Sequence, residues 1–308
     1  MKTRIAIIGL GKIARDQHVP ALAASDEFEL AGVASPHHKL EGVPSYGNIE
    51  TLLKAVPDIA AVSLCTTPQV RYEIARFALE RGLHVLLEKP PGVTVSEVLA
   101  LATLASKQGV ALFASWHSRH AAGVEPARAW LEGRKIRSVT VNWKEDVRVW
   151  HPGQTWIWKS GGLGVFDPGI NALSVLTRII PGALFLKQAE LRYPRNCETP
   201  IAADLVLAAV TGTPVRMELD FLHAGPPQWD IDVETDAGRL SLSKGGAEMA
   251  VDGKRVVPEL QGWEYPDLYR HFAAVVRGHS VDVDVRPLQL VADAFLSGHR
   301  VEVDPFVE

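Results

Sequence analysis

The chain has 308 residues, 47% of them apolar and 22% charged, which suffices for two packed cores. Its formal net charge of −4, with no lysine or arginine cluster, argues against nucleic acid as a ligand. Only Cys65 and Cys197 occur, outside any CxxC pair, so neither a disulfide framework nor a thiolate metal site is expected, and the apolar runs fall short of the ~20 residues that span a bilayer.

Met1-Lys2-Thr3-Arg4 leads straight into a strand rather than a signal segment, so a cytoplasmic protein is expected. Residues 4–8 are a short β-branched run; Gly9-Leu10-Gly11-Lys12-Ile13-Ala14 then fits GxGxxA, and 14–24 reads as helix. Strand, glycine turn and helix in that order aim backbone N–H groups at a pyrophosphate, which makes Gly9, Gly11, Lys12 and Ile13 candidate dinucleotide contacts, the alternative being a plain tight turn. A second strand, 29–34, ends where an acid would grip the ribose 2′-OH of NAD. The chain instead reads Ser35-Pro36-His37-His38-Lys39, which would not repel a 2′-phosphate. NAD or NADP is therefore the expected cofactor, with Ser35 and His37 as contacts, unless this is a solvated loop that merely lacks acids.

Helix 49–55, strand 59–65 and helix 72–81 continue the alternation, and the turn Cys65-Thr66-Thr67-Pro68-Gln69 places Thr66, Thr67 and Pro68 where hydroxyls reach ribose or nicotinamide; a simple turn would read the same. Strand 83–87 runs into Glu88-Lys89-Pro90-Pro91. A lysine there is delivered to the carboxyl edge of the sheet, where open α/β folds bind ligands, and Glu88 and Lys89 join the cofactor set. Helix 96–108, capped by Ser96 and stopped by Gly109, and strand 110–114 complete a parallel doubly wound sheet, a Rossmann domain over residues 1–118.

The grammar then changes. Short alternating runs at 186–193, 203–210, 215–221, 229–234, 240–243 and 249–251, with helices at 121–131, 171–179, 266–277 and 287–297, predict an α+β domain over 119–308 on an open, mainly antiparallel sheet. That sheet would cover the active site or serve as a subunit interface, in a homodimer or higher homo-oligomer. Between the two grammars lie Ser115-Trp116-His117, then Glu145, and four of the eight tryptophans between 143 and 158. Indoles suit the mixed polar and apolar surface of a sugar, so Trp116, Trp150 and Trp156 are candidate contacts with His117, although core packing or an interface explains a tryptophan as readily. Asp167-Pro168 reads as a helix start with Asp167 as N-cap, and Asn171 follows four residues on.

Taken together, Gly9-Leu10-Gly11-Lys12-Ile13-Ala14, Glu88-Lys89-Pro90 and Asp167-Pro168-Gly169-Ile170-Asn171 resemble the glucose-fructose oxidoreductase/inositol dehydrogenase/MocA family. The longer strings Lys12-Ile13-Ala14-Arg15-Asp16-Gln17-His18, Trp143-Lys144-Glu145-Asp146-Val147-Arg148 and Trp150-His151-Pro152-Gly153-Gln154 are similar to its bacterial L-arabinose and D-galactose 1-dehydrogenases. The resemblance implies NAD(P)+-dependent oxidation of an aldopyranose at its anomeric carbon to the lactone, with D-galactose, L-arabinose and D-fucose as substrates. It implies acid/base roles for Lys89 and Asp167 and sugar contacts for Asn171 and Glu145. Many relatives carry a histidine base four residues after the aspartate, where this chain has Asn171, so Asp167 becomes the preferred base. A non-catalytic dinucleotide-binding sugar sensor, or a dehydrogenase of another polyol or sugar hydroxyl, is the alternative.

Overall fold

A computed structural model describes residues 2–257 and 264–308. These fall into two units, one drawn from Met1–His117 with Glu264–Val285 and the other from Ser118–Trp263 with Arg286–Glu308.

In the first unit the chain runs β1 (Thr3–Ile8), α1 (Val19–Ala23), β2 (Phe28–Ala34), β3 (Ser45–Tyr46), α2 (Ile49–Ala55), β4 (Ala61–Leu64), α3 (Pro68–Leu79), β5 (His84–Glu88), α4 (Val95–Gln108) and β6 (Leu112–Ser115). All these strands pair in parallel, in the order β6-β5-β4-β1-β2-β3. Helices cover both faces, so the strands carry nearly continuous apolar sequence. Ile5 and Ile7 point into one buried layer with Phe28, Val33 and Leu86, while Ala6 and Ile8 point into the other with Val62, Leu64 and Leu87. The chain reverses direction of build between β1 and β4, which opens a crevice at their carboxyl ends. Helix α4 begins one residue earlier than the sequence suggests, because Thr94 and not Ser96 caps it. Thr94 Oγ1 accepts from Glu97 N–H at 3.2 Å and the Glu97 carboxylate accepts from Thr94 N–H, a reciprocal pair that Ser96 cannot make.

The second unit begins with α5 (Val124–Leu131), β7 (Ile136–Lys144), α6 (Val147–Trp150) and α7 (Phe166–Ile179). Next come β8 (Leu184–Pro194), β9 (Ala202–Ala209), β10 (Pro214–Asp220), β11 (Gln228–Thr235), β12 (Gly238–Ser243), β13 (Glu248–Val251) and β14 (Lys254–Val257). The chain then returns to the first unit as α8 (Glu264–Arg277) and β15 (Val281–Asp282). There β15 pairs in parallel with β6, and Tyr265, Leu268, Tyr269 and Phe272 of α8 enter the Ile5 layer. By sequence these two elements lie within 119–308, so a single cut at 118 does not capture them. Finally α9 (Arg286–Ser297) and β16 (His299–Val303) rejoin the second unit.

Its sheet is nine-stranded, ordered β14-β13-β12-β11-β7-β10-β9-β8-β16, and antiparallel except where β7 meets β10 and β8 meets β16. One side is buried: Val215, Met217 and Leu219 of β10 alternate with exposed neighbours. Helix α7 is buried along nearly its whole length, and Gly169 allows its close approach to β10, where a Cβ would stand 2.7 Å from Leu219 Cδ1.

Candidate active site

At the carboxyl edge of the first sheet, β1 leads into Gly9, with φ +91° and a Cβ position 2.8 Å from Thr66 N and 2.9 Å from Cys65 C. Only glycine fits against the backbone that follows β4. A Cβ on Gly11, by contrast, would meet nothing within 4 Å, and beside this turn the Thr66 Oγ1 is buried with no hydrogen-bond partner. An open approach to backbone and an orphaned hydroxyl fit the phosphate and ribose of a dinucleotide. Ile13 is half-buried at the start of the helix, while the exposed Lys12 ammonium pairs with Asp16 one turn on. Ser35 is buried, its N–H donated to Tyr46 O at 2.9 Å, and His37 beyond it is exposed. Thr67 precedes the first residue of α3, Pro68.

Lys89 is half-buried beyond β5, joined to Pro90 by a cis peptide bond. Around it the backbone is clamped by the buried Arg71, whose guanidinium donates to Glu88 O, Pro90 O and Thr66 O. The Glu88 side chain turns inward, 2% exposed, and its Oε2 accepts from Ser115 Oγ at 2.9 Å and faces His18 Nε2 at 3.1 Å. Burial pushes this carboxyl up, but the hydrogen bond and charge of His18, with the charges of His117 and Lys89, bring it down to about 2. Trp116 is 3% exposed and gives its single N–H to Asp284 O at 2.8 Å, so it packs the first unit. His117 is half-buried, its Nδ1 2.5 Å from Glu264 Oε2 and its ring stacked on Tyr265.

The second unit gathers the other candidates at the mouth of β7. Glu145, the residue after that strand, is 3% exposed. Its Oε1 lies 2.8 Å from His151 Nε2, and its Oε2 accepts from the Trp229 indole N–H at 2.8 Å. His151 Nδ1 in turn faces Asp167 Oδ2 at 3.6 Å. A neutral ring donating to Glu145 leaves a lone pair toward Asp167, and a charged ring offers an N–H to each carboxylate. Trp150, 42% exposed, meets Trp229 edge-on with ring centres 4.8 Å apart.

Asp167 is not the N-cap expected from Asp167-Pro168. Helix α7 already starts at Phe166 after Val165, which makes no side-chain cap, because Gly164 (φ +53°) turns the chain under Pro200 and Asp167 N–H closes onto Gly164 O at 2.9 Å. The carboxylate is thus carried inside the first turn, 3% exposed, with Asn171 half-buried one turn further along. Sequence reasoning passed over His151 as a site residue although it sits in a quoted motif, and passed over Trp229, which only the pairing of β11 with β7 brings to Glu145. Among the described residues, no cluster of three or more His, Cys, Asp and Glu is placed to hold a metal, and no helix is long and apolar enough to cross a membrane.

Residues 3–115 match the family model described as an oxidoreductase family with an NAD-binding Rossmann fold. The galactose 1-dehydrogenase of Pseudomonas fluorescens is 43% identical over 305 residues, 99% of either chain. The chain belongs to the glucose-fructose oxidoreductase/inositol dehydrogenase/MocA family. Within this family, the crystal structure of a D-galactose-1-dehydrogenase protein from Rhizobium etli superposes with a TM-score of 0.95 at 53% identity, covering 99% of this chain and 98% of that one. The fold extends to a 3-ketoreductase from Actinomadura kijaniata solved with NADP, at a TM-score of 0.81 and 19% identity over 98% and 100% of the two chains. The protein is an oxidoreductase whose first unit is an NAD(P)-binding Rossmann domain.

Proposed function

We propose that this oxidoreductase oxidises a free aldopyranose at its anomeric carbon to the lactone, with D-galactose as the principal substrate and L-arabinose and D-fucose also accepted. The observation that carries the reading is likeness over the whole chain, 43% and 53% identical, to two galactose 1-dehydrogenases. The row Glu145–His151–Asp167, its carboxylates buried and its ring half-buried, supports it by supplying acceptors for sugar hydroxyls and their proton.

The nicotinamide nucleotide supplies the hydride acceptor. Asp167 accepts the proton of the anomeric hydroxyl as the C1–H electron pair departs and C1–O becomes a carbonyl. Lys89 donates a hydrogen bond to that oxygen and stabilises the negative charge developing on it. His151, 3.6 Å from Asp167, is where the proton passes next, in place of the histidine that Asn171 replaces. Asn171 offers its amide to a neighbouring hydroxyl, and Glu145, fixed by His151 and Trp229, accepts from another. A pocket that pairs buried polar groups with ring hydroxyls rejects an epimer far more strongly than it rejects a change at one edge. Hence the three sugars of one ring stereochemistry are grouped. The absence of an acid from Ser35 to Lys39 supports use of both NAD+ and NADP+.

Absorbance at 340 nm tests this with D-galactose, L-arabinose, D-fucose, D-glucose and myo-inositol, each with either nucleotide. Reduction is expected with the first three and not with myo-inositol. No reduction with any free aldose refutes the proposal.

A further inference from the structure

Between the glycine turn and β5 lies a buried set of polar groups that the sugar chemistry leaves unexplained. His18 is fully buried. Its Nε2 lies 3.1 Å from Glu88 Oε2 and its Nδ1 2.7 Å from Tyr269 OH, which in turn lies 2.8 Å from Ser63 Oγ. The helix that brings it there is irregular. Residues Ala14–His18 are wound as a π-turn, with Val19 N–H donating to Ala14 O, before α-helical geometry resumes at Val19. Such single-turn widenings are rare and gather at functional sites. Here the turn carries His18 inward toward Glu88, a few residues beyond Gly9 and Gly11.

Burying an imidazole against a carboxylate adds little net stability, since a well-packed apolar pair does as well. Stability alone therefore does not account for the pair, and Lys89 is the residue next to Glu88. Arg71 already holds the carbonyls on either side of Lys89. We infer that His18, as an imidazolium paired with the Glu88 carboxylate, is a positioning residue that ties the lysine-bearing end of β5 to the helix following the glycine turn. Facing the ring are Glu88 at the end of β5, Cys65 after β4, and Tyr265 and Tyr269 of α8. Burial works against a charged ring, but the neighbouring Cys65 and Tyr269 side chains and the bond to Glu88 hold His18 well above the usual histidine range.

The kinetic half of the test rests on the dehydrogenase reading; the spectroscopic half does not. Ring 15N shifts of His18 in the full chain without substrate are expected to show an imidazolium at pH 8, and a neutral ring at the same pH in Glu88→Gln. His18→Gln keeps a donor toward Glu88 but carries no charge, leaving burial free to raise that carboxyl. It is expected to lower kcat about tenfold with the nucleotide KM nearly unchanged, a loss equivalent to about 1.4 kcal/mol. It should also add a further ionisation to the acid side of the kcat profile, beyond any that the unmodified enzyme shows, which a purely structural role would not produce. A neutral ring at pH 8 in the unmodified protein overturns the inference, as does a folded His18→Gln enzyme with unchanged kcat and pH profile. An inactive unmodified enzyme rejects the dehydrogenase reading instead, and the ring spectrum still decides the pairing. If His18→Gln does not fold, that spectrum and its Glu88→Gln counterpart decide alone.

Discussion

Two glycines of one turn are expected to fail in opposite ways when given a methyl group. Gly9 sits at φ +91°, and its added Cβ would lie 2.8 Å from Thr66 N and 2.9 Å from Cys65 C, both backbone atoms that cannot swing aside. The left-handed conformation costs a non-glycine residue roughly 1–2 kcal/mol. Overlap in a packed site adds roughly 1–3 kcal/mol. Gly9→Ala should therefore lose about 2–5 kcal/mol of stability with no nucleotide present. Gly11→Ala should lose less than about 0.5 kcal/mol, since its methyl group meets nothing within 4 Å. On the assignment of this turn to phosphate, that methyl group obstructs the approach of a pyrophosphate to the backbone, so nucleotide affinity should fall at least about tenfold. Urea denaturation of the nucleotide-free protein and calorimetric titration with NAD+ and NADP+ measure the two quantities. Unchanged stability in Gly9→Ala would refute the packing argument. A Gly11→Ala protein that binds both nucleotides normally would refute the assignment of the turn to phosphate.

Other substitutions separate chemistry from architecture. Lys89→Ala should cut kcat by about 100-fold or more, with nucleotide affinity by calorimetry nearly unchanged; near-normal turnover rejects its role. Asp167→Asn places a same-sized amide in the first turn of α7, so the urea midpoint should hold while kcat falls about 100-fold or more, and a stable, active variant removes Asp167 as base. Glu88 titrates at about 2 against 4.5 when unfolded, so its contribution is present above pH 4.5 and is lost as pH falls toward 2. Between pH 5 and 3 the unmodified protein should lose about 2 kcal/mol that the double variant His18→Gln, Glu88→Gln does not, measured by urea denaturation at the two values; parallel losses contradict the buried pair.

Local sequence carried most of the first sheet. Strands buried on both faces have apolar runs that can be read without knowing their neighbours, and the ends of β1, β2, β4 and β5 carry the expected candidates to one edge. What it could not reveal depends on distant partners. Strand β7 alternates well at Val139, Val141 and Trp143, but its polar positions hide it until β10 and β11 pair on either side. Likewise β15 is two residues long, and only β6 makes it a strand. In the site, Glu88 reads by its place at the strand end as a cofactor contact beside the lysine, whereas His18 and Ser115 draw its side chain inside. His18 itself was hidden in a stretch that scans as ordinary helix, because a π-turn leaves no mark on apolar periodicity. Asp167 and Asn171 stand out through their motif. The partner that completes the row, His151, lies beyond α6 and needs the fold to bring it there.

Loss of hydride from C1 of a free sugar is the claim on which the rest depends, and D-galactose carrying deuterium at C1 tests it directly. Incubated with the enzyme and NAD+ or NADP+, it is expected to give the lactone and reduced nucleotide carrying the deuterium on the nicotinamide ring, formed more slowly than from unlabelled sugar. Reduced nucleotide free of deuterium, or none at all, would contradict the account.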